Sequence, residues 1–382
     1  MLRCNKTRIL VALLAGLVGP AASAFGGDGP TKSKFPAPVV KHLQRIYDEK
    51  HARFRFRADY PGGPAQWQKD FRPALRKVIG LDRIAETNRQ HTPRVKLGPP
   101  KDIGKYTRLR GTIETEPHVR IPFWLLRPKG KGPFPLAVLP HGHDAIGHDT
   151  TAGVTHNEAH RKRIAEGGRD VAVQAVGRGF LAIAPATRGL AVDGVPDAYR
   201  RHKGSTCLSH AVHCMLAGRT AIGERVWDMH CILDWALRRD DVDRRRVLMM
   251  GNSGGGMVTV YAAACDTRIT VAVPSCSFSR LVADDGRIYH CDCNLVPGIL
   301  AFGELYDVAG LIAPRYLLAV NGRKDRLHSV ADIRYASARV AAIYRAAGCP
   351  ERFASVLGDA GHRFYPELMW PFVTKATGAS PP

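Results

Sequence analysis

The sequence predicts an α/β protein, with a mostly parallel central sheet, helices on both of its faces and a helical extension at the N-terminus. Three observations predict it. Short, predominantly apolar runs recur at 134–139 (FPLAVL), 180–184 (FLAIA), 246–250 (RVLMM), 269–273 (ITVAV) and 315–320 (RYLLAV), as strands buried on both faces require. Longer stretches with helical apolar spacing lie between them. The alternation of the two kinds of segment favours parallel strands joined by crossover helices.

Taken in order, residues 1–24 read as an export signal. Arg3, Lys6 and Arg8 precede the apolar run Ile9–Val18, and Ala22-Ser23-Ala24 offers the small residues that a signal peptidase needs. Cleavage is expected after Ala24, giving a secreted or periplasmic product. Residues 25–104 are expected to form a leader and a helical extension, with helices at 38–57 and 67–80 carried by Leu43, Ile46, Phe71 and Leu75, and a Pro/Gly-rich connector at 91–104. The main domain is expected at 105–382. It opens with a hairpin (106–115 and 119–127), and helices are expected at 157–178, 221–238, 257–264, 330–346 and 366–374, with a last strand at 352–357. No stretch after the leader is apolar for long enough to span a membrane.

The whole chain carries a net charge of +22, three of its basic residues lying in the expected export signal. The rest are dispersed, without the interleaved aromatics of a nucleic-acid motif, so nucleic acid is not an expected partner. The charge points to anionic surroundings. Beyond the leader stand eight cysteines, 207, 214, 231, 265, 276, 291, 293 and 349, an even number that allows up to four disulfides in an exported chain. Cys231 and Cys265 fall in helix-like segments and fit buried thiols. Cys276, Cys291 and Cys293 are the better disulfide candidates.

The strongest chemical signal is Gly251-Asn252-Ser253-Gly254-Gly255, a G-x-S-x-G pattern set between an apolar strand and a helix. The sharp reversal there lifts a serine hydroxyl above the sheet edge, and glycines two residues to either side remove clashing side chains. The amide of Gly254 then faces a bound carbonyl, beside the helix N-terminus. A serine hydroxyl needs a base. Of His290, His328 and His362, only His362 follows the last predicted strand, in Gly358-Asp359-Ala360-Gly361-His362. Asp325, after the strand at 315–320, is the expected acid, with Asp284 and Asp285 as rivals. His141-Gly142-His143-Asp144 follows the first buried strand, and the His143 amide is the expected second oxyanion donor. The histidines at 141, 143, 148, 156 and 160 beside Asp144 and Asp149 offer metal chemistry as a rival, but at no recognised zinc spacing. Cys291-x-Cys293 lacks a second pair to complete a metal knuckle. No metal and no organic cofactor is expected.

Strand–His-Gly-x, Gly-x-Ser-x-Gly, Asp and Gly-His, in this order, resemble the α/β-hydrolase superfamily. More narrowly, residues 70–374 resemble bacterial acetyl xylan esterase-like hydrolases, relatives of cephalosporin-C deacetylases and dienelactone hydrolases. That resemblance is carried by Arg188-Gly189, Trp227-Asp228, Asp234-Trp235, Ala313-Pro314-Arg315 and Cys291-Asp292-Cys293-Asn294 with Pro297-Gly298. It implies an ester hydrolase acting through Ser253, His362 and Asp325, with Gly254 and His143 at the oxyanion, on a small-molecule or polysaccharide ester such as an acetylated sugar. A prolyl-oligopeptidase-type peptidase, a non-catalytic binding protein on the same scaffold and a histidine-dependent metallohydrolase are the alternatives.

Overall fold

The computed structural model describes residues 35–190, 196–197, 199 and 204–379; the expected export signal lies outside them. The described residues open with three α-helices, α1 (Ala37–Ile46), α2 (Gly63–Val78) and α3 (Leu81–Thr87). Next come β1 (Arg94–Leu97), β2 (Lys101–Asp102), β3 (Tyr106–Glu116), β4 (Val119–Pro128) and β5 (Phe134–Val138). Then follow α4 (Gly147–Thr151), α5 (Glu158–Gly167), α6 (Val171–Val176), β6 (Leu181–Pro185), α7 (Thr206–Leu216) and α8 (Ala221–Ala236). The second half runs β7 (Val242–Asn252), α9 (Gly254–Cys265), β8 (Val271–Ser275), α10 (Leu305–Gly310), β9 (Tyr316–Gly322), α11 (Val330–Ala346), β10 (Phe353–Gly358) and α12 (Pro366–Thr377).

The ten strands of the described residues join one sheet, in the order β1-β3-β4-β6-β5-β7-β8-β9-β10, with β2 paired to β3. From β6 to β10 every pairing is parallel, whereas β1 to β4 and the β4–β6 pair are antiparallel. The apolar runs alternate between two buried layers. Leu136, Val138, Val247 and Met249 enter the core shared with α2, α8, α9 and α11, while Ala137, Leu139, Leu248 and Met250 face α6 and α12. Both sheet faces are covered, which is why these strands carry apolar residues without interruption. Among the described residues no helix is long and apolar enough to cross a membrane.

The N-terminal helices pack into the larger core. Trp67, Phe71 and Leu75 of α2 are fully buried, and the Trp67 indole N–H donates to the Phe54 carbonyl at 2.8 Å. Gln68 donates to the carbonyls of Gly310 and Ala313, and Arg72 to those of Ala264 and Leu311. Ala264 and Gly310 stand in the last turns of α9 and α10 and Leu311 caps α10, where helices leave carbonyls short of partners.

Four expectations change. The helix expected over 38–57 ends at Ile46, followed by a short 3-10 turn at Glu49–His51. The helix expected over 157–178 is two helices, because Gly168 closes α5 in the left-handed region at φ 57°. The connector expected at 91–104 holds β1, which pairs with Gly111–Glu114 of β3, and the two-residue β2. The disulfides allowed by the cysteine count do not form among the described residues, whose eight cysteines are all free thiols. Cys276 instead donates to the Arg363 carbonyl at 3.3 Å. Cys231 and Cys265 are buried thiols, and burial pushes the Cys265 thiol up to about 12.

Candidate active site

Strands β5 and β7 are parallel neighbours, so the loops at their C-terminal ends come out side by side. In α/β sheets such a point, where the chain steps in opposite directions from adjacent strands, opens a crevice. Here β5 leads to His141-Gly142-His143 and β7 to the turn at Ser253.

Ser253 has φ 57° and ψ −124°, a conformation that costs a non-glycine residue on the order of 1–3 kcal/mol and persists only where its surroundings impose it. Close packing imposes it. A Cβ on Gly251 would stand 2.4 Å from the Gly255 carbonyl carbon, and one on Gly255 would stand 2.1 Å from the Pro140 carbonyl oxygen. Only glycine lets the turn sit against the end of β5. The Ser253 amide donates to the Ser275 carbonyl at 2.8 Å, and the Ser253 carbonyl accepts from Gly256 and Met257, opening α9.

The loop after β5 touches the same turn. A Cβ on Gly142 would lie 3.1 Å from the Gly254 nitrogen, and one on Gly254 would lie 3.4 Å from His143 Nδ1. His141 fixes this loop. Its Nε2 accepts the Thr187 amide at 2.9 Å, and its Nδ1 stands 2.7 Å from the Gly142 carbonyl, so the neutral ring donates from Nδ1. Burial lowers the His141 pKa to about 4 and keeps the ring uncharged.

The Asp325 Oδ2 accepts the His362 Nδ1–H at 2.7 Å, and its Oδ1 accepts the Leu327 amide at 3.0 Å. The carboxylate is 1% exposed. Burial raises its pKa, but the bonds from His362 and the Leu327 amide outweigh burial and hold it below the ordinary carboxylate value. The His362 loop is fastened on both sides. Lys324 N–H donates to the Ala360 carbonyl, Tyr365 Oη donates to the Gly361 carbonyl at 2.6 Å, and Asn252 Nδ2 donates to the Arg363 carbonyl at 3.3 Å. Asn252 therefore ties the serine turn to the histidine loop, and only its place beside Ser253 hinted at this.

Ser253, His362, Gly254 and His143 line one cavity of about 540 Å³. The rival acids fall elsewhere, whereas the rival histidines His290 and His328 line the same cavity. Asp284 is exposed and pairs with Arg280, and Asp285 pairs with Arg287. His328 is buried against Ser279, with its Nδ1 at 2.9 Å from the hydroxyl oxygen, and burial lowers its pKa to about 4. The histidine-rich stretch does not converge: His156 pairs with Asp149, and His160 with Thr150. The Arg188-Gly189 turn proves to be a buried hub. Arg188 donates to Asp228, Glu116 and Thr115 and pairs with Glu224, joining the turn after β6 to helix α8.

No protein-family model matches the chain. YtaP of Bacillus subtilis (strain 168), named as a hydrolase, is 24% identical over 254 residues, covering 65% of this chain and 80% of that protein. Among solved structures, the methylesterase BT1017 superposes with a TM-score of 0.63 at 21% identity, over 90% of this chain and 69% of the other. A protein of Bacteroides fragilis NCTC 9343 named as an acetyl xylan esterase gives 0.69 at 15% identity, over 91% and 96%. A glucuronoyl esterase from Teredinibacter turnerae T7901 gives 0.57 at 17% identity, over 82% and 85%. The chain has the α/β-hydrolase fold, in agreement with the resemblance carried by its motifs.

Proposed function

We propose that the chain is an exported serine hydrolase that cleaves carboxylic esters on carbohydrates through an acyl-serine intermediate. The observation that carries this is the buried Asp325–His362 hydrogen bond at 2.7 Å, in the same cavity as a serine held at φ 57°. In this reading His362 Nε2 takes the Ser253 proton as Oγ attacks the ester carbonyl. The amides of Gly254 and His143 hold the oxyanion. The tetrahedral adduct collapses as His362 returns the proton to the alcohol, leaving an acyl-serine, and water then repeats the sequence to release the acid. Asp325 keeps the imidazole in the tautomer that leaves Nε2 free and stabilises the cation formed.

The substrate class is supported by the esterase names of the similar structures and by the +22 charge, which suits an acetylated or methyl-esterified acidic polysaccharide. Export is proposed on the leader. The test is a fluorophosphonate label together with a screen of chromogenic acyl esters and of acetylated and methyl-esterified polysaccharides. The label is expected on Ser253, and Ser253→Ala is expected to lower kcat by about 10⁴-fold or more. A loss of tenfold or less, or labelling that survives the substitution, overturns the reading. Faster cleavage of amides than of esters would replace it with a peptidase.

A further inference from the structure

Beside the serine turn, four side chains from three distant segments point their donor atoms at one spot. His143 comes from the loop after β5, Cys207 from the first turn of α7, and Cys291 and Cys293 from the segment between β8 and α10. Their nitrogen and sulfur atoms all lie within 4.8 Å of one another. His143 Nε2 stands 3.4 Å from Cys293 Sγ, and Cys207 Sγ stands 3.9 Å from Cys291 Sγ. We infer that these residues form a tetrahedral Cys₃His site for a divalent zinc ion.

The spacings decide between the two chemistries open to clustered cysteines. A disulfide brings its sulfurs to about 2.05 Å, and no such bond joins any of these cysteines. A tetrahedral zinc with Zn–S of about 2.3 Å and Zn–N of about 2.0–2.1 Å sets sulfurs about 3.8 Å apart and sulfur about 3.6 Å from nitrogen. The separations of 3.4 Å and 3.9 Å lie close to those edges. Three soft thiolates and an imidazole are also the donor set that zinc takes in closed structural sites.

The surroundings supply the charge balance. Arg225 is 1% exposed, and among the described residues no carboxylate lies within ion-pair distance of it. Its Nη1 donates to Cys293 Sγ at 3.4 Å, to the Cys293 carbonyl at 3.2 Å and to Asn294 Oδ1 at 3.0 Å, and its Nε donates to the Arg188 carbonyl. A buried guanidinium needs an anion. A zinc ion with three thiolates carries one net negative charge, which Arg225 neutralises, and the N–H on Cys293 is an outer-shell contact of the kind that orients metal ligands. The other group of possible ligands outside the triad, His210, Cys214 and Glu224, is already spent, because Glu224 pairs with Arg188 and Arg219. Sequence reasoning set Cys291-x-Cys293 aside for want of a second pair; the fold supplies the two missing ligands from 150 and 84 residues away.

With all four positions taken by protein, the ion has a structural role. It pins the loop that carries the His143 amide to α7 and to the segment that walls the cavity. That consequence rests on the oxyanion role given to His143 above, whereas the site itself does not depend on it.

The test uses the full chain, reduced and freed of metal, then offered zinc or cobalt. One zinc per chain is expected by elemental analysis, and cobalt is expected to give the intense visible bands of tetrahedral thiolate coordination. Cys207→Ser and Cys293→Ser should lower zinc to about a tenth of an equivalent or less. Cys291→Ser, altered at the open side of the site, gives the same readout with little risk to folding. Cys349→Ser, outside the cluster, and Ser253→Ala should each keep one equivalent. The proposal is overturned if the reduced native chain takes up no zinc and cobalt gives no thiolate bands. It is equally overturned if two of the three cysteines are recovered as a disulfide from protein prepared with zinc present.

Discussion

Replacing Asp325 by asparagine changes one atom and almost no volume, yet the local bonding makes its consequence severe. Oδ1 accepts the Leu327 amide at 3.0 Å, while Oδ2 receives the His362 Nδ1–H at 2.7 Å. An asparagine has one acceptor to offer. Its carbonyl oxygen stays where a backbone N–H already points, at Leu327, and its NH₂ group takes the place of Oδ2. That group can only donate, so Nδ1 must give up its proton and the ring carries it on Nε2 instead. The nitrogen that should accept the serine proton is then occupied. A wrong-tautomer histidine of this kind costs about 10⁴ in kcat, which is about 5 kcal/mol of transition-state stabilisation. The assay is kcat at saturating chromogenic acetyl ester near neutral pH, with a thermal melt to show that the fold is kept. Asp284→Asn and Asp285→Asn should leave kcat unchanged. A loss of tenfold or less for Asp325→Asn would refute the reasoning, as would an equal loss for either control.

Two further outcomes are expected. Gly255→Ala places a Cβ 2.1 Å from the Pro140 carbonyl oxygen and 2.9 Å from the His141 carbonyl carbon; both are backbone at the end of a buried strand, so the variant should lose about 3 kcal/mol in urea denaturation, and a loss under about 1 kcal/mol would contradict this packing account. His141, His230, His290 and His328 are held neutral, chiefly by burial, with pKa values lowered to about 4, 4, 3 and 4. Their contribution to stability is full above the ordinary histidine value of 6.5 and is lost as pH falls from there towards about 4, because the unfolded chain binds protons that the folded one refuses. Unfolding free energy measured by urea should therefore fall steeply from pH 6.5 to 4.5, and a flat profile would sink the assignment.

Much of this was legible in the chain because its signals are local. The turn at Ser253 announces itself in five residues, since Gly251 and Gly255 each answer a backbone contact too close for a side chain. Asp325 and His362 could be chosen because each follows a strand whose apolar run was readable. Signals without periodicity were lost. Strands β1 and β2 lie at an exposed sheet edge, where Arg94, Lys96, Lys101 and Asp102 show no buried face. Helix α7 mixes histidine, serine and cysteine, so its Cys207 gave no hint of meeting Cys291. Arg188 was picked out by resemblance alone, and its acidic partners come from two segments far apart in the chain, Glu116 at the end of β3 and Glu224 and Asp228 on α8.

Helix α2 has a bearing on how the chain reaches its final shape. Gln68 and Arg72 find their partners around residues 264–313, on the far side of about half the protein, and Trp67 and Phe71, besides their contacts with Phe54, lie against Gly310 and Gly303. The beginning of the chain is thus completed by its later part, and such long-separation closure is slow. A product that stops before residue 260 would leave this tryptophan and phenylalanine without their cover, a sticky apolar surface of the sort that draws chaperones or drives aggregation.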